Sequence, residues 1–441
     1  MQPAVFIIKT GIQQVASCIN VIENKNRNGK SMQLAINFDI NRIIDEELIE
    51  THFQPMVSLR KKRVIGYEAL SRGIHPEKGS VIAPDLLFQS AREQGVVLQL
   101  DRLCRKKAIQ AYAPLHQLNP EHILSINMDI TFLDDTVLCS NMLLDMVNQY
   151  NIHPGNVMIE IVESCNSQTD LLRSFVNDYK DNGFLIALDD MGRQNFNWDR
   201  LFSISPHLLK LDRSLAKDVN KSFYRQEVSR SIVNLGHKTG AVIVAEGIEN
   251  SDDAAHLLEL GVDVLQGFYF AEPVPAADIP VESLHETIEE VAHDFREHTL
   301  KKIQRKRETF RFLDHITAEI KNELTNCYTA ELDETLTELL AGFTEINCGY
   351  ILDSKGVQIT RTVMNPGFSA PATNRLFRPA ETGEDLSFKD YYYFINAGMN
   401  KYTTGPYIST ATGELCTTMS TSFASVEGDT FILCIDYHTD Y

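Results

Sequence analysis

The sequence predicts an α/β protein: a (β/α)₈ barrel followed by linker helices and a smaller α+β domain. Three observations carry this expectation. Eight short apolar runs between residues 53 and 265 alternate with stretches of helical periodicity, the pattern of strands joined by crossover helices. Most of these runs end in a carboxylate or an amide, so polar groups recur at the same end of successive strands. Beyond Pro273, Pro275 and Pro280 the chain becomes strongly helical, and from residue 331 it changes again to strand-and-turn sequence.

In order, residues 1–36 form an N-terminal extension, with a short strand expected at 4–8 and a helix at 12–22. Ile43, Ile44 and Leu48 place a helix at 39–51. The barrel strands are expected at 53–59, 64–70, 123–126, 157–162, 184–188, 208–212, 241–245 and 262–265, with a basic turn at 61–63 between the first two. Helices are expected at 84–94, 98–112, 138–150, 169–182, 225–240 and 252–260. The barrel domain is thus expected over 37–275 and a helical linker, in one piece or two, over 276–330. Within that linker, Leu284, Ile288 and Val291 share a face, as do Phe312, Ile316 and Ile320. The basic run from Lys301 to Arg307 reads as a solvated helix face. In 331–441, residues 349–352 and 357–360 flank a turn, 408–410 and 415–420 flank another, and 431–437 is a final strand.

The composition narrows the function. The chain has 441 residues, enough for a large barrel and an accessory module. A formal net charge of −19 excludes a protein that coats bulk nucleic acid. The eight cysteines are scattered without a CxxC pair, as expected for free thiols in a reducing compartment. No apolar run approaches the roughly 18 residues of a membrane span, and the start lacks the basic and apolar regions of a leader. A cytoplasmic protein is expected.

The organising stretch is FLIALDDMG, residues 184–192, a buried strand running into Asp189 and Asp190. Two adjacent anions beside an apolar strand call for a cation. In a barrel the strand ends converge, bringing Glu68, Asn127, Glu160, Asp189, Asp190, Lys210, Glu246 and Gln266 to one mouth. A doubly wound open sheet, the structural alternative, would not gather residues from so many strands. Carboxylate and amide oxygens without Cys or His suit Mg²⁺ or Mn²⁺ rather than zinc, and the Asp pair is placed to hold two ions. Lys210, set among leucines, offsets charge or orients a water. Arg72 offers its fork to a phosphate, Gln54 and Gln266 to a base or phosphate, and Glu163 and Glu249 are placed to support loops.

These residues lie in FQPMVSLRKKRVIGYEALSR, ILSINMD, MIEIVES, IALDDMG, LLKLD, VAEGIE and LQGFYFAEP, and in this order they resemble the motifs of the EAL-domain cyclic di-GMP phosphodiesterases. Glu68-Ala69-Leu70 is the name-giving motif. The resemblance implies a (β/α)₈ barrel that hydrolyses cyclic di-GMP to linear pGpG with two Mg²⁺ or Mn²⁺ ions. It implies Glu68, Asn127, Glu160 and Asp189 on one metal and Asp189 with Asp190 on the second. Lys210 then orients a water, Glu246 completes the acidic site, Gln266 helps position it, and Arg72 contacts a phosphate. After the double Asp, active members usually continue Phe-Gly-Thr-Gly-Tyr-Ser; here the chain reads Met191-Gly192-Arg193-Gln194-Asn195-Phe196. Members with degenerate versions of this loop often hydrolyse weakly or not at all, which leaves a cyclic di-GMP receptor as the alternative. The C-terminal sequence resembles a PAS-like or Cache-like module, and the order of domains is similar to that of the YkuI-type EAL proteins. The module follows helices with apolar stripes, an arrangement suited to linking two subunits, so a homodimer is expected, with a small-molecule ligand of the C-terminal domain as the signal that would shift those helices.

Overall fold

The computed structural model describes residues 38–130, 141–162, 169–192, 198–365 and 378–439. The chain divides into two units, Met1–Glu289 and Glu290–Tyr441. The elements expected before residue 37, Glu163 and the loop residues 193–196 lie outside the described residues, as does the start of the helix expected at 138–150.

The first unit is a ring of strands. In chain order these are β1 (Ile49–Ser58), β2 (Arg63–Ile74), β3 (Val81–Ile82), β4 (Ile123–Met128), β5 (Val157–Val162), β6 (Leu185–Met191), β7 (Leu208–Leu211), β8 (Val242–Ala245) and β9 (Val264–Leu265). The sheet runs β1-β9-β8-β7-β6-β5-β4-β2, with β3 pairing only the last two residues of β2, and it closes because β1 also pairs with β2. From β2 through β4 to β9 the pairings in the ring are parallel. β1 departs from the uniform (β/α)₈ expectation, because it is antiparallel to both of its neighbours. The cause is local: a tight turn at 59–62, rather than a crossover helix, joins β1 to β2, and a short turn can only return the chain antiparallel.

The same hairpin shortens the first expected helix. That helix is Ile40–Asp45, and residues from Ile49 onward belong to β1. Asp39 caps it by accepting from the Asn41 N–H. The helix Pro84–Gln94 starts on a proline and ends on Gly95 in the left-handed region (φ 70). Val97–Leu118 runs longer than expected and carries Leu100, Ala108, Ile109 and Tyr112 into the core.

Met56, Met158, Ala187, Leu208, Val244 and Val264 fill the barrel interior as one buried cluster. Gly66 lets β2 approach β4: a Cβ there would lie 2.2 Å from the Ile123 carbonyl oxygen.

The helix Val281–Thr325 is a single 45-residue element. It was expected as a linker, but its later turns form part of the core of the second unit. Leu313, Ile316, Ile320 and Leu324 pack with Leu332, Leu336 and Leu340 of the helix Leu332–Leu340. Phe312, assigned to that apolar stripe by spacing, is exposed, and Leu313 takes the inward position. Residues 301–309 are exposed throughout, so the basic run is a solvated face.

The second unit's sheet contains β10 (Ile346–Leu352), β11 (Val363–Met364), β12 (Lys401–Thr403), β13 (Tyr407–Ile408), β14 (Leu415–Ala424) and β15 (Thr430–His438), in the order β11-β10-β15-β14-β12 with β13 also on β14. All its pairings are antiparallel. Alternation along β15 sorts its two faces. Leu433, Ile435 and Tyr437 meet the helices, while Ile432 and Cys434 meet Tyr391, Tyr392 and Ile395 of the helix Asp390–Asn396.

Candidate active site

The polar layer of the barrel follows from strand periodicity. A residue two positions beyond an interior apolar residue faces the same axis, one layer nearer the strand end. Met158 is followed in this way by Glu160, Ala187 by Asp189, Leu208 by Lys210, Val244 by Glu246 and Val264 by Gln266. On antiparallel β1 the step runs backward from Met56 to Gln54, and Gln54 pairs across with Glu68 of β2.

Lys210 is the hub. Its fully buried ammonium lies 2.5 Å from Glu246 Oε1, 2.6 Å from Glu160 Oε1, 3.3 Å from Glu68 Oε2 and 3.8 Å from Asp189 Oδ1. Burial alone would lower its pKa, but the four carboxylates reverse this and hold it well above the usual lysine value. Burial also acts against an ionised Glu68, yet Lys210, Gln266 and Asn127 together hold that carboxyl below its usual range. The other three are raised. Burial and Glu68 push Glu160 well up. Burial pushes Glu246 to about 8, with Asp189 and Glu68 adding to it against Lys210. Burial also raises Asp189, helped by Glu68 and Asp190 and opposed by Lys210. One ammonium does not balance this much negative charge.

Amides and hydroxyls fix the carboxylates in place. Asn127 Nδ2 donates to Glu68 Oε1 at 3.1 Å, and Gln266 Nε2 donates to Glu68 Oε2 at 2.6 Å. Gln54 Oε1 accepts from Gln266 at 3.1 Å while its own amide donates to the Ala271 carbonyl at 3.1 Å. Both glutamines therefore buttress Glu68, and neither is among the residues lining the neighbouring cavity.

The end of β6 is irregular. Its register with β7 shifts between Leu188 and Met191, a bulge that turns the adjacent carboxylates. Asp190 has φ 60, a left-handed conformation unusual for a residue with a Cβ, and its N–H donates to Asp189 Oδ1 at 2.7 Å.

A cavity of about 590 Å³ opens beside this layer, lined by Glu68, Arg72, Asn127, Asp189 and Asp190 together with Arg92, Asp101, Arg105 and Asp129. Arg72 is half-buried, and one Nη donates to the Ser71 carbonyl. Glu249 stands apart, paired with Arg213 at 2.5 Å just after β7.

Two groups were not singled out from sequence. Ser125 is wholly buried and donates to Glu160 Oε1 at 2.5 Å; its place two residues before Asn127 on an inward strand face was the available signal. Asp101 and Arg105, one helical turn apart, form a buried ion pair at 2.6 Å, and Asp101 accepts from the Asp129 N–H beyond β4.

The donor set suits hard divalent cations. It consists of carboxylate and amide oxygens, and Glu160 Oε2 and Gln266 Oε1 are buried without a hydrogen-bond partner. Among the described residues, however, no three acidic side chains converge on a common ion position, and the Lys210 ammonium stands among the carboxylates.

Residues 37–273, more than half of the chain, match the EAL domain family. The chain belongs to the EAL-domain family. Among curated relatives, this EAL protein is 25% identical over 249 residues to the signaling protein YkoW of Bacillus subtilis, covering 56% of this chain and 31% of that one. It is 28% identical over 243 residues to the cyclic di-GMP phosphodiesterase RocR of Pseudomonas aeruginosa, covering 54% of this chain and 60% of that one. The chain thus spans from under a third to three fifths of the length of these two relatives. The crystal structure of the Bacillus subtilis YkuI protein, with an EAL domain, in complex with substrate c-di-GMP and calcium, superposes with a TM-score of 0.74 at 21% identity. That match covers 92% of this chain and 100% of the other, and it is a likeness of fold reaching into the α+β unit. No helix among the described residues is long and apolar enough to cross a membrane.

Proposed function

We propose that this EAL protein is a cytoplasmic phosphodiesterase that hydrolyses cyclic di-GMP to linear pGpG in bacterial second-messenger signalling. The observation that carries the reading is the ring of Glu68, Glu160, Asp189 and Glu246, from four different strands or their ends, around the buried ammonium of Lys210. The family and the curated phosphodiesterase relative support the substrate.

Two Mg²⁺ or Mn²⁺ ions are the cofactors we assign. Glu68, Asn127, Glu160 and Asp189 would hold one, Asp189 and Asp190 the second, and Glu246 would complete the acidic set. When bound, such ions lower the pKa of water and stabilise charge on a phosphoryl oxygen. Arg72, on the cavity wall, binds a phosphate oxygen through its fork. Lys210 holds its carboxylates in register and orients the attacking water. Gln54 and Gln266 act through Glu68, keeping its oxygens aimed. Glu249, and Glu163 beyond the described residues, support the loops. The water oxygen forms a bond to phosphorus as the bond to one ribose 3′ oxygen breaks, and that 3′ oxygen takes up the proton the water gives up. Purified protein with Mg²⁺ or Mn²⁺ is expected to form pGpG, and Glu68→Ala to abolish it; turnover unaffected by that substitution would sink the assignment.

A second reading is a receptor that binds the dinucleotide without cleaving it. It is favoured by Met191-Gly192-Arg193-Gln194-Asn195-Phe196, which departs from the loop of active members just past the strained Asp190. Calorimetric binding with no product even at high Mn²⁺ would select it. We assign the α+β unit as a PAS-like or Cache-like sensory or dimerisation module, with a small-molecule ligand and a homodimeric assembly.

A further inference from the structure

The second unit contains a cavity of about 530 Å³, within the size range of metabolite sites. Asp436 of β15 lines it and is only 2% exposed. It stands on the same strand face as Ile432 and Cys434, in a position where alternation would otherwise place an apolar side chain. Its described partners are all neutral. Oδ1 accepts from the Thr418 hydroxyl at 2.7 Å, and Oδ2 accepts from the Ser409 hydroxyl at 3.2 Å and the Cys348 thiol at 3.6 Å. Two cations stand on the cavity wall, Arg378, paired with Glu384 at 2.5 Å, and Lys389; among the described residues neither pairs with Asp436. Tyr350, Tyr391 and Tyr407 contribute to the lining, and aromatic faces attract cations. A carboxylate this deep, held by neutral donors, is costly to ionise unless a positive charge reaches it.

We infer that this cavity binds a small organic cation, an alkylamine or guanidine, whose charged group pairs with Asp436 against the tyrosine walls. Burial pushes the Asp436 carboxyl above its usual range, and a bound cation would draw it back toward the ionised form. The inference rests on the reading of this unit as a sensory module and names the chemistry of its ligand. It does not depend on what the barrel hydrolyses.

The test uses the full chain without any cyclic dinucleotide. Thermal unfolding and calorimetry are run with putrescine, agmatine, L-arginine and choline, and with succinate and citrate for comparison. At least one of the four cations is expected to raise the unfolding temperature by several degrees. Asp436→Asn is expected to weaken that binding at least about tenfold. Because a core substitution can compromise folding, Ala411→Trp provides an independent variant. Ala411 lines the same cavity from a turn, and a large side chain there should block entry. Cation binding unchanged in both variants would overturn the assignment. Shifts produced only by succinate or citrate would overturn the cation chemistry and leave the sensory reading standing. No shift with any probe would overturn both.

Discussion

Lys210 sits between Leu208, Leu209 and Leu211 in a four-residue strand, yet its ammonium is the charge to which four carboxylates from different strands are referred. Replacing it with methionine would keep most of the volume and remove the charge. Breaking a buried ion network from one side typically costs about 3–5 kcal/mol, because the remaining charges are left uncompensated. Lys210→Met is therefore expected to lower the denaturant midpoint of the barrel's unfolding transition markedly. A midpoint within error of the parent would mean that the carboxylates are neutralised by other means. Asp436 gives a pH-dependent case. Its folded pKa is raised by burial, so as pH rises past the unfolded carboxyl value of about 3.9 the unfolded chain ionises first and the folded state loses relative stability. Asp436→Asn removes this proton linkage. The stability of the variant relative to the parent should rise as pH increases from about 3 toward 7, measured by urea unfolding; a pH-independent difference would contradict the linkage.

At the scale of elements, the site depends on how closely the strands approach and where each one stops. Gly66 sits where a Cβ would lie 2.2 Å from the Ile123 carbonyl oxygen, and that atom is backbone, which cannot swing aside as a side chain can. Gly66→Ala should force β2 from β4 and cost at least the roughly 1–3 kcal/mol typical of overpacking. It should also reduce any turnover, because Glu68 lies two residues further along the same strand. Stability and activity both at parental levels would show that the pairing can relax. The bulge at the end of β6 works in the other direction. It breaks the regular pairing with β7 and leaves Asp189 and Asp190 on a backbone that regular sheet geometry would not provide.

For the molecule as a whole, the proposal of a homodimer is tested by size. Light scattering on the intact chain should return twice its 49.9 kDa. A chain ending before Val281, lacking the long helix and the α+β unit, should be monomeric if those parts hold the subunits together. Retention of the same oligomeric state, turnover and metal dependence after truncation would remove both the dimerisation and the sensory roles proposed for the C-terminal unit. Loss of the dimer with unchanged turnover would leave only a passive assembly role.

Much of the barrel was legible in the one-dimensional chain, because a barrel strand combines a local signal with a strict alternation. Apolar runs that lead into Glu, Asp or Asn, and a lysine set among leucines, direct Glu68, Asn127, Glu160, Asp189, Lys210 and Glu246 to one mouth of the barrel. What the sequence could not determine was set by contacts between distant residues. The antiparallel direction of β1 depends on which neighbours it finds on closing the ring. The choice between Phe312 and Leu313 depends on the phase of the long helix against the second unit's sheet. The use of Gln54 and Gln266 as supports for Glu68 depends on β1 and β9 meeting β2 at that level. Asp436 reads as one polar residue in a final strand, and only the packing of Tyr350, Tyr391 and Tyr407 around it makes a cavity. Local propensity sets which segments become strands and which face of each is apolar; the identity of a side chain's neighbours is decided when the chain folds back on itself.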